Sequence, residues 1–195
     1  MGVFGGVFDP PHIGHLVVAQ EVWRRLGLDE VLIVPVGHPA DRAAAGRSGD
    51  LRARMVEAAV AGHPGLRCSR REVDRPGPSY TVDTLRQLRV TEPDARIWFV
   101  LGADRLAGFP EWHEPAGILE VARLAVVPRG GVDAAQAKVL GDRVAPGRVD
   151  VVECPPIGVS STLVRQRLAA GEPVRYLVPD GVARLLPEAS AGGVA

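Results

Sequence analysis

The chain has 195 residues, with 23 basic and 23 acidic side chains and therefore no formal net charge. The balanced charge argues against a dedicated duplex-DNA-binding protein, and the 46% of hydrophobic residues fits one globular domain with a sizeable core. The longest apolar run, at 31–36, is too short to cross a membrane, and the N-terminus lacks the pattern of a secretory signal. Cys68 and Cys154 are isolated and form neither a disulfide framework nor a zinc pattern. We therefore expect a cytoplasmic protein.

Short β-branched runs alternate with amphipathic stretches along the chain. In chain order we expect a strand at 2–8, a helix at 12–26, strand 31–36, helix 51–61, strand 66–69, helix 81–89, strands 97–101, 124–127 and 149–153, and helices 160–170 and 180–186. This order predicts a doubly wound α/β fold: a mainly parallel sheet with helices on both faces and a small C-terminal helical segment. We expect one domain over 1–188 and a disordered tail at 189–195.

Ligands of such open sheets bind beyond the carboxyl ends of the strands, so the loops after the strands are where a site is expected. The first of these loops carries the string GGVFDPPHIGH at residues 5–15. Its glycine pair lets the backbone approach a ligand closely, and Gly14 leaves room for a base or ribose between His12 and His15. A helix N-terminus at this point would bind an anion, although no Walker lysine is present. The string therefore predicts a phosphate site.

This string resembles the signature of the nucleotidyltransferase superfamily, whose HxGH element is shared with class I aminoacyl-tRNA synthetases. The form found here is most similar to bacterial nicotinate-mononucleotide adenylyltransferases. Members transfer a nucleotidyl group from a nucleoside triphosphate and release pyrophosphate. The resemblance implies a Rossmann-like nucleotidyltransferase fold and catalytic roles for His12 and His15. It also places Asp9 on the acceptor side and gives ATP contacts to the following residues: Gly5, Gly6, Phe8 and Gly14.

A second element, SSTLVR at 160–165, begins a predicted helix with residues that are good N-caps. The arginine lies about one turn inward, where its guanidinium fork can grip phosphate oxygens. The element is similar to the family's SSTxxR motif. That resemblance implies a catalytic role for Arg165 and ATP binding by Ser160, Ser161 and Thr162.

Further stretches of the chain match the same family. The string SYTVDT at 79–84 is similar to a motif specific to nicotinate mononucleotide, which implies acceptor binding by Thr81 and Asp83. Trp112 resembles the family tryptophan that stacks on the pyridine ring, and Arg42 resembles a residue that binds the acceptor's phosphate. The family assigns the adenosine side to Gly102 and Asp104, and Arg129 is expected to reach the triphosphate. Relatives often carry a bulky residue where Ala40 stands, and 130–148 matches no motif.

The resemblance implies adenylyl transfer from ATP to nicotinate mononucleotide, with Mg²⁺ on the phosphates and no metal ligands from the protein. The partners are then two small molecules, without nucleic acid or membrane, and a homo-oligomer is compatible with the sequence. Nicotinamide mononucleotide and phosphopantetheine remain alternative acceptors. A non-catalytic nucleotide-binding module is an alternative of another class, but it would be expected to lose His15 or Arg165. A class I synthetase fragment would need a lysine-rich second motif, and the single lysine, Lys138, lies outside it.

Overall fold

A computed structural model describes residues 1–38 and 46–186 of the chain. Arg42, Ala40 and the tail expected at 189–195 lie outside the described residues. Within the described part, six strands form one sheet in the order β3-β2-β1-β4-β5-β6, and every neighbouring pair is parallel. The strands are β1 (Gly2–Gly6), β2 (Val31–Pro35), β3 (Leu66–Cys68), β4 (Ile97–Gly102), β5 (Ala122–Val127) and β6 (Val149–Val151). The α/β fold class with a parallel sheet is confirmed.

Helices connect the strands on both faces of the sheet. They are α1 (Ile13–Arg25), α2 (Gly49–Val60), α3 (Thr81–Thr91), α4 (Ala103–Leu106), α5 (Pro115–Val121), α6 (Ala134–Val144), α7 (Ser161–Ala169) and α8 (Asp180–Ala183), with a 3₁₀ turn at Phe109–Glu111. The sequence did not predict α4, α5, α6 or the 3₁₀ turn. For α6 a signal was present: Asp133 and Gln136 form a capping box, in which each side chain accepts from the other's backbone N–H at 2.8 and 3.0 Å.

Alternating residues of the strands build a core on each face, because side chains of a strand point to opposite sides. Val3, Val34 and Phe99 face α3, where they pack in one cluster with Val82 and Leu85. A second cluster lies on the other face against α1 and α2 and includes Ile33, Val100, Ala19, Val22 and Val56. All five residues of β2 are buried, as a strand covered on both faces requires.

The strand order places β1 between β2 and β4, so the chain leaves the first half of the sheet and returns on the other side of β1. A crevice forms at such a switch point beyond the carboxyl ends of the strands. A third core cluster joins α2, α7 and α8 through Met55, Val164 and Val182. This packing brings the N-terminus of α7 over the loop that follows β1. None of the helices in 1–38 and 46–186 has the length and apolar character needed to span a membrane.

Candidate active site

The loop after β1 turns sharply from the strand into α1. Phe8 adopts a left-handed backbone conformation with φ 50° and is 2% exposed. A Cβ on Gly6 would lie 2.9 Å from the Phe8 ring, so only glycine leaves that ring its place. The Phe8 ring packs edge-on against His15, with centroids 4.9 Å apart. This contact between Phe8 and His15 therefore holds the first turn of α1 against the loop.

His12 and His15 lie side by side at the start of α1, with ring centroids 3.7 Å apart. His12 is the N-cap residue of the helix and is 7% exposed. A Cβ on Gly14 would lie 3.0 Å from both Cε1 and Nδ1 of His12. The space beside Gly14 is thus occupied by the His12 imidazole, whereas the sequence suggested room there for a base or ribose.

Both histidines are neutral at pH 7. Burial, together with the charge of Arg129, lowers the pKa of His12 to about 4. Burial also lowers the pKa of His15 well below its usual 6.5, and the charges of His12 and Arg129 add to that effect. Nδ1 of His15 accepts from the backbone N–H of His12 at 3.2 Å, so the neutral ring carries its proton on Nε2. His15 is therefore set up as a neutral hydrogen-bond donor.

The neighbouring Nδ1 of His12 is buried and has no hydrogen-bond partner within the described part of the chain. A buried nitrogen without a partner costs about 1–3 kcal/mol in the free protein. A ligand that bonds to this nitrogen recovers that free energy on binding. The orphaned atom therefore marks the start of α1 as a position where a polar ligand is expected.

The N-terminus of α7 is attached to the same loop by two side chains. Ser161 Oγ donates to the Pro10 carbonyl at 2.9 Å, and Arg165 Nη1 donates to the Asp9 carbonyl at 2.7 Å. Arg165 Nη2 also lies 3.2 Å from Thr162 Oγ1. Ser160 caps the helix by accepting from the Leu163 N–H at 3.1 Å. The two serine hydroxyls thus have protein partners, whereas Thr162 and Arg165 are exposed to solvent.

On the adenosine side predicted from the sequence, three residues form a compact group at the ends of β4 and β5. Arg129 Nε lies 3.2 Å from Asp104 Oδ1 in a partly exposed ion pair. A Cβ on Gly102 would overlap both Asp104 Oδ1 and Arg129 Cδ, so glycine is needed for the pair to form. Because Arg129 also lowers the pKa of both histidines, this group lies within electrostatic reach of the histidine pair.

A cavity of about 600 Å³ opens at the carboxyl ends of β1 and β2, between the start of α3 and the segment around the 3₁₀ turn. Thr81 and Trp112 line it, but Asp83, although in the first turn of α3, is outside the lining. Trp112 packs edge-on against Phe99, with ring centroids 5.9 Å apart and an angle of 77° between the ring planes. Tyr80, the N-cap of α3, makes no capping bond with its side chain. The first-turn amides of α3 are therefore available to an anionic group in the cavity.

Two arginines that the sequence did not single out organise the loops around the cavity. Arg47 Nη1 lies 2.7 Å from Asp9 Oδ1, and the carboxylate of Asp9 is 3% exposed. Arg52 is 2% exposed and donates to three carbonyls, those of Val7 at 2.8 Å, Arg47 at 3.2 Å and Gly37 at 3.3 Å. The Asp9 carboxylate, expected to contact the acceptor, is therefore engaged in joining two loops. The only sequence signal for Arg52 is its position on the apolar face of α2.

Comparison with known proteins places this site in a family. Residues 3–167 match the family described as cytidylyltransferase-like. A protein of Nocardioides sp. is 44% identical over 93% of this chain and 88% of its own, and one of Dehalococcoides mccartyi is 40% identical over 96% and 94%. Both carry the name "Probable nicotinate-nucleotide adenylyltransferase". The chain therefore belongs to the cytidylyltransferase-like family and groups there with the nicotinate-nucleotide adenylyltransferases.

The fold also agrees with that of a solved structure. Plasmodium falciparum nicotinic acid mononucleotide adenylyltransferase, complexed with NaAD, superposes with a TM-score of 0.75. The match covers 93% of this chain and 92% of the other, at 16% sequence identity. At that identity the likeness concerns the fold alone.

Proposed function

We propose that this protein transfers the adenylyl group of ATP to nicotinate mononucleotide, giving nicotinate adenine dinucleotide and pyrophosphate. One observation carries the proposal. Two neutral histidines and Arg165 meet at one loop, beside a cavity of about 600 Å³ that is bordered by Trp112. The names of the relatives at 40% and 44% identity support the same reaction.

The reaction needs positioning and charge stabilisation more than covalent chemistry from the protein. An oxygen of the acceptor's 5′-phosphate attacks the α-phosphorus of ATP. The bond from that phosphorus to the bridging oxygen of the β-phosphate breaks, and pyrophosphate leaves with the electron pair. Nε2 of His15 donates to the developing negative charge, and Arg165 and His12 assist it. Both cysteines are free, half-buried and of raised pKa because of burial, so neither is used as a nucleophile in the proposed step.

The remaining predicted residues are assigned to the two substrates. In the proposal, Gly5, Gly6, Phe8 and Gly14 shape the backbone that faces ATP, and Thr162 adds a hydroxyl donor. Asp104 accepts from the ribose hydroxyls of ATP, which compete with Arg129 for its carboxylate. Trp112 stacks on the pyridine ring, and Thr81 with the first-turn amides of α3 receives the ring's carboxylate. Asp83 supports the start of α3, and Arg42 is proposed to bind the acceptor's phosphate.

ATP is proposed to enter as its magnesium complex. The described residues include no group of three or more His, Cys, Asp or Glu side chains arranged to hold a metal ion. Mg²⁺ keeps most of its waters and binds readily to substrate phosphates, so the triphosphate itself provides its ligands. The cation would neutralise charge on the leaving pyrophosphate.

The free thiols of Cys68 and Cys154 support a cytoplasmic location, where thiols stay reduced.

The test is pyrophosphate release with ATP and Mg²⁺, using nicotinate mononucleotide, nicotinamide mononucleotide and phosphopantetheine side by side. We expect strong preference for nicotinate mononucleotide in the wild type and loss of release in His15→Ala. His63→Ala is the matched control, because His63 packs against Trp23 away from the site. Release with another acceptor would reassign the substrate. No release with any acceptor, from folded protein that still binds ATP, would favour a non-catalytic nucleotide-binding module.

A further inference from the structure

The acceptor cavity has one polar wall that the chemistry above does not use. This polar wall consists of the side chains of Glu72, Ser79 and Thr84, which all line the cavity. Thr84 Oγ1 donates to Glu72 Oε1 at 2.7 Å, and Glu72 is 7% exposed. A carboxyl group in this position would repel an anionic acceptor if nothing compensated its charge.

A guanidinium lies directly behind the polar wall. Arg75 Nη2 donates to Thr84 Oγ1 at 3.4 Å. Its other terminal nitrogen, Nη1, is buried and has no hydrogen-bond partner among residues 1–38 and 46–186. Because a guanidinium stays protonated at every accessible pH, this group brings a permanent positive charge to that side of the cavity.

Arg75 offsets the charge of the Glu72 carboxyl in this wall. Burial raises the pKa of the Glu72 carboxyl, and nearby Asp83 raises it further. The hydrogen bond from Thr84 and the charge of Arg75 lower it, but burial is the larger effect. Without Arg75, the Glu72 carboxyl on the cavity lining would face an anionic acceptor uncompensated.

Resting on the function proposed above, we propose that Arg75 is a specificity-determining residue. Its guanidinium, one side chain behind the polar wall, favours an acceptor whose pyridine ring bears a carboxylate over one that bears a carboxamide. The two acceptors have nearly the same shape, so packing cannot separate them, but they differ by one unit of charge. A charge that acts through the wall rather than on the reacting phosphate changes the KM of the acceptor more than kcat.

The experiment compares kcat and KM for nicotinate and nicotinamide mononucleotides in the wild type, Arg75→Met, Arg75→Lys and Arg71→Met. Arg71 is the matched control, because its guanidinium reaches Ser69 and Thr91 instead of the cavity wall. In Arg75→Met we expect the nicotinate-to-nicotinamide ratio of kcat/KM to fall about tenfold, mainly through the KM for nicotinate mononucleotide. Arg75→Lys should keep most of the preference, and Arg71→Met should keep all of it.

Glu72→Gln gives a second test with the opposite sign. The amide oxygen can still accept from Thr84, but the negative charge is gone, so the preference for the carboxylate should rise. Equal losses with both acceptors in Arg75→Met would show a structural role and overturn the inference. A lower preference in Glu72→Gln would overturn it too, and this variant decides the question if Arg75→Met does not fold. A folded wild type that uses neither acceptor would instead refute the proposed function.

Discussion

Replacing Gly14 by alanine tests whether the histidine pair must keep its position. The added Cβ would lie 3.0 Å from Cε1 and Nδ1 of His12, whereas ordinary carbon contacts are about 3.5–4.0 Å. His12 must therefore give way by a few tenths of an ångström, and its ring is only 3.7 Å from that of His15. A misplacement of about 1 Å in an active site costs about 100-fold in rate. A displacement a few tenths as large should lower kcat about 4- to 10-fold, which corresponds to about 0.8–1.4 kcal/mol in the activation barrier.

The Gly14→Ala variant should remain folded. Alanine in place of glycine within a helix gains up to about 1 kcal/mol, whereas overpacking costs about 1–3 kcal/mol. A net loss below about 2 kcal/mol lowers the unfolding midpoint by less than about 8 °C. Pyrophosphate release and thermal unfolding would be measured together. Gly49→Ala is the control. Gly49 also lies in the first turn of a helix, α2, and its added Cβ would lie 3.3 Å from the Val73 side chain. A kcat within threefold of wild type for folded Gly14→Ala would refute the reasoning.

Three other changes separate stability from catalysis. Because burial lowers the pKa of His12 to about 4, only the unfolded state takes up this proton between pH 6.5 and 4. Acidification over that range should therefore cost the wild type about 3 kcal/mol more than His12→Asn, and parallel urea-unfolding results would contradict this. Arg165→Lys keeps the charge but loses the fork that reaches the Asp9 carbonyl. Its kcat/KM for ATP should fall at least about tenfold, with a stability loss of about 1 kcal/mol in denaturant titrations; wild-type kinetics would exclude the proposed grip on phosphate. In Gly65→Ala the new Cβ would overlap the indole of Trp23, so calorimetry should show a loss of about 1–3 kcal/mol while kcat is unchanged, and a lowered kcat would disprove the separation.

Strands and long helices were predictable because their burial repeats along the chain. The run at β2 is apolar at every position, and all of it is buried. Short helices gave no such repeat: α4 has four residues, and α5 begins after Glu114, which adopts a left-handed conformation with φ 47°. Non-glycine residues rarely adopt that conformation, so residue propensities do not predict the backbone turn before α5. The tertiary packing of these segments decides their structure.

The site residues were accessible from sequence where one loop holds them together, as at His12 and His15. Contacts between distant segments were not. The partner of Ser161 is the Pro10 carbonyl, 151 residues away, and no local pattern reports it. Arg52 likewise looks like any charged residue of an amphipathic helix, yet it is 2% exposed and donates to three carbonyls of two loops. The family resemblance placed Asp9 on the acceptor side, and nothing in the sequence indicates its ion pair with Arg47.

The attachment of α7 to the first loop has a consequence for how activity appears during synthesis. The donors proposed for the triphosphate come from both ends of the chain: the histidines lie within the first fifteen residues, and Arg165 reaches the Asp9 carbonyl from 156 residues away. A ribosome-bound chain that ends before α7 has only the two histidines and lacks the contacts that α7 makes with the first loop. Such a chain cannot assemble the complete proposed nucleotide site. The protein therefore becomes catalytically competent late in synthesis, when α7 docks on the first loop.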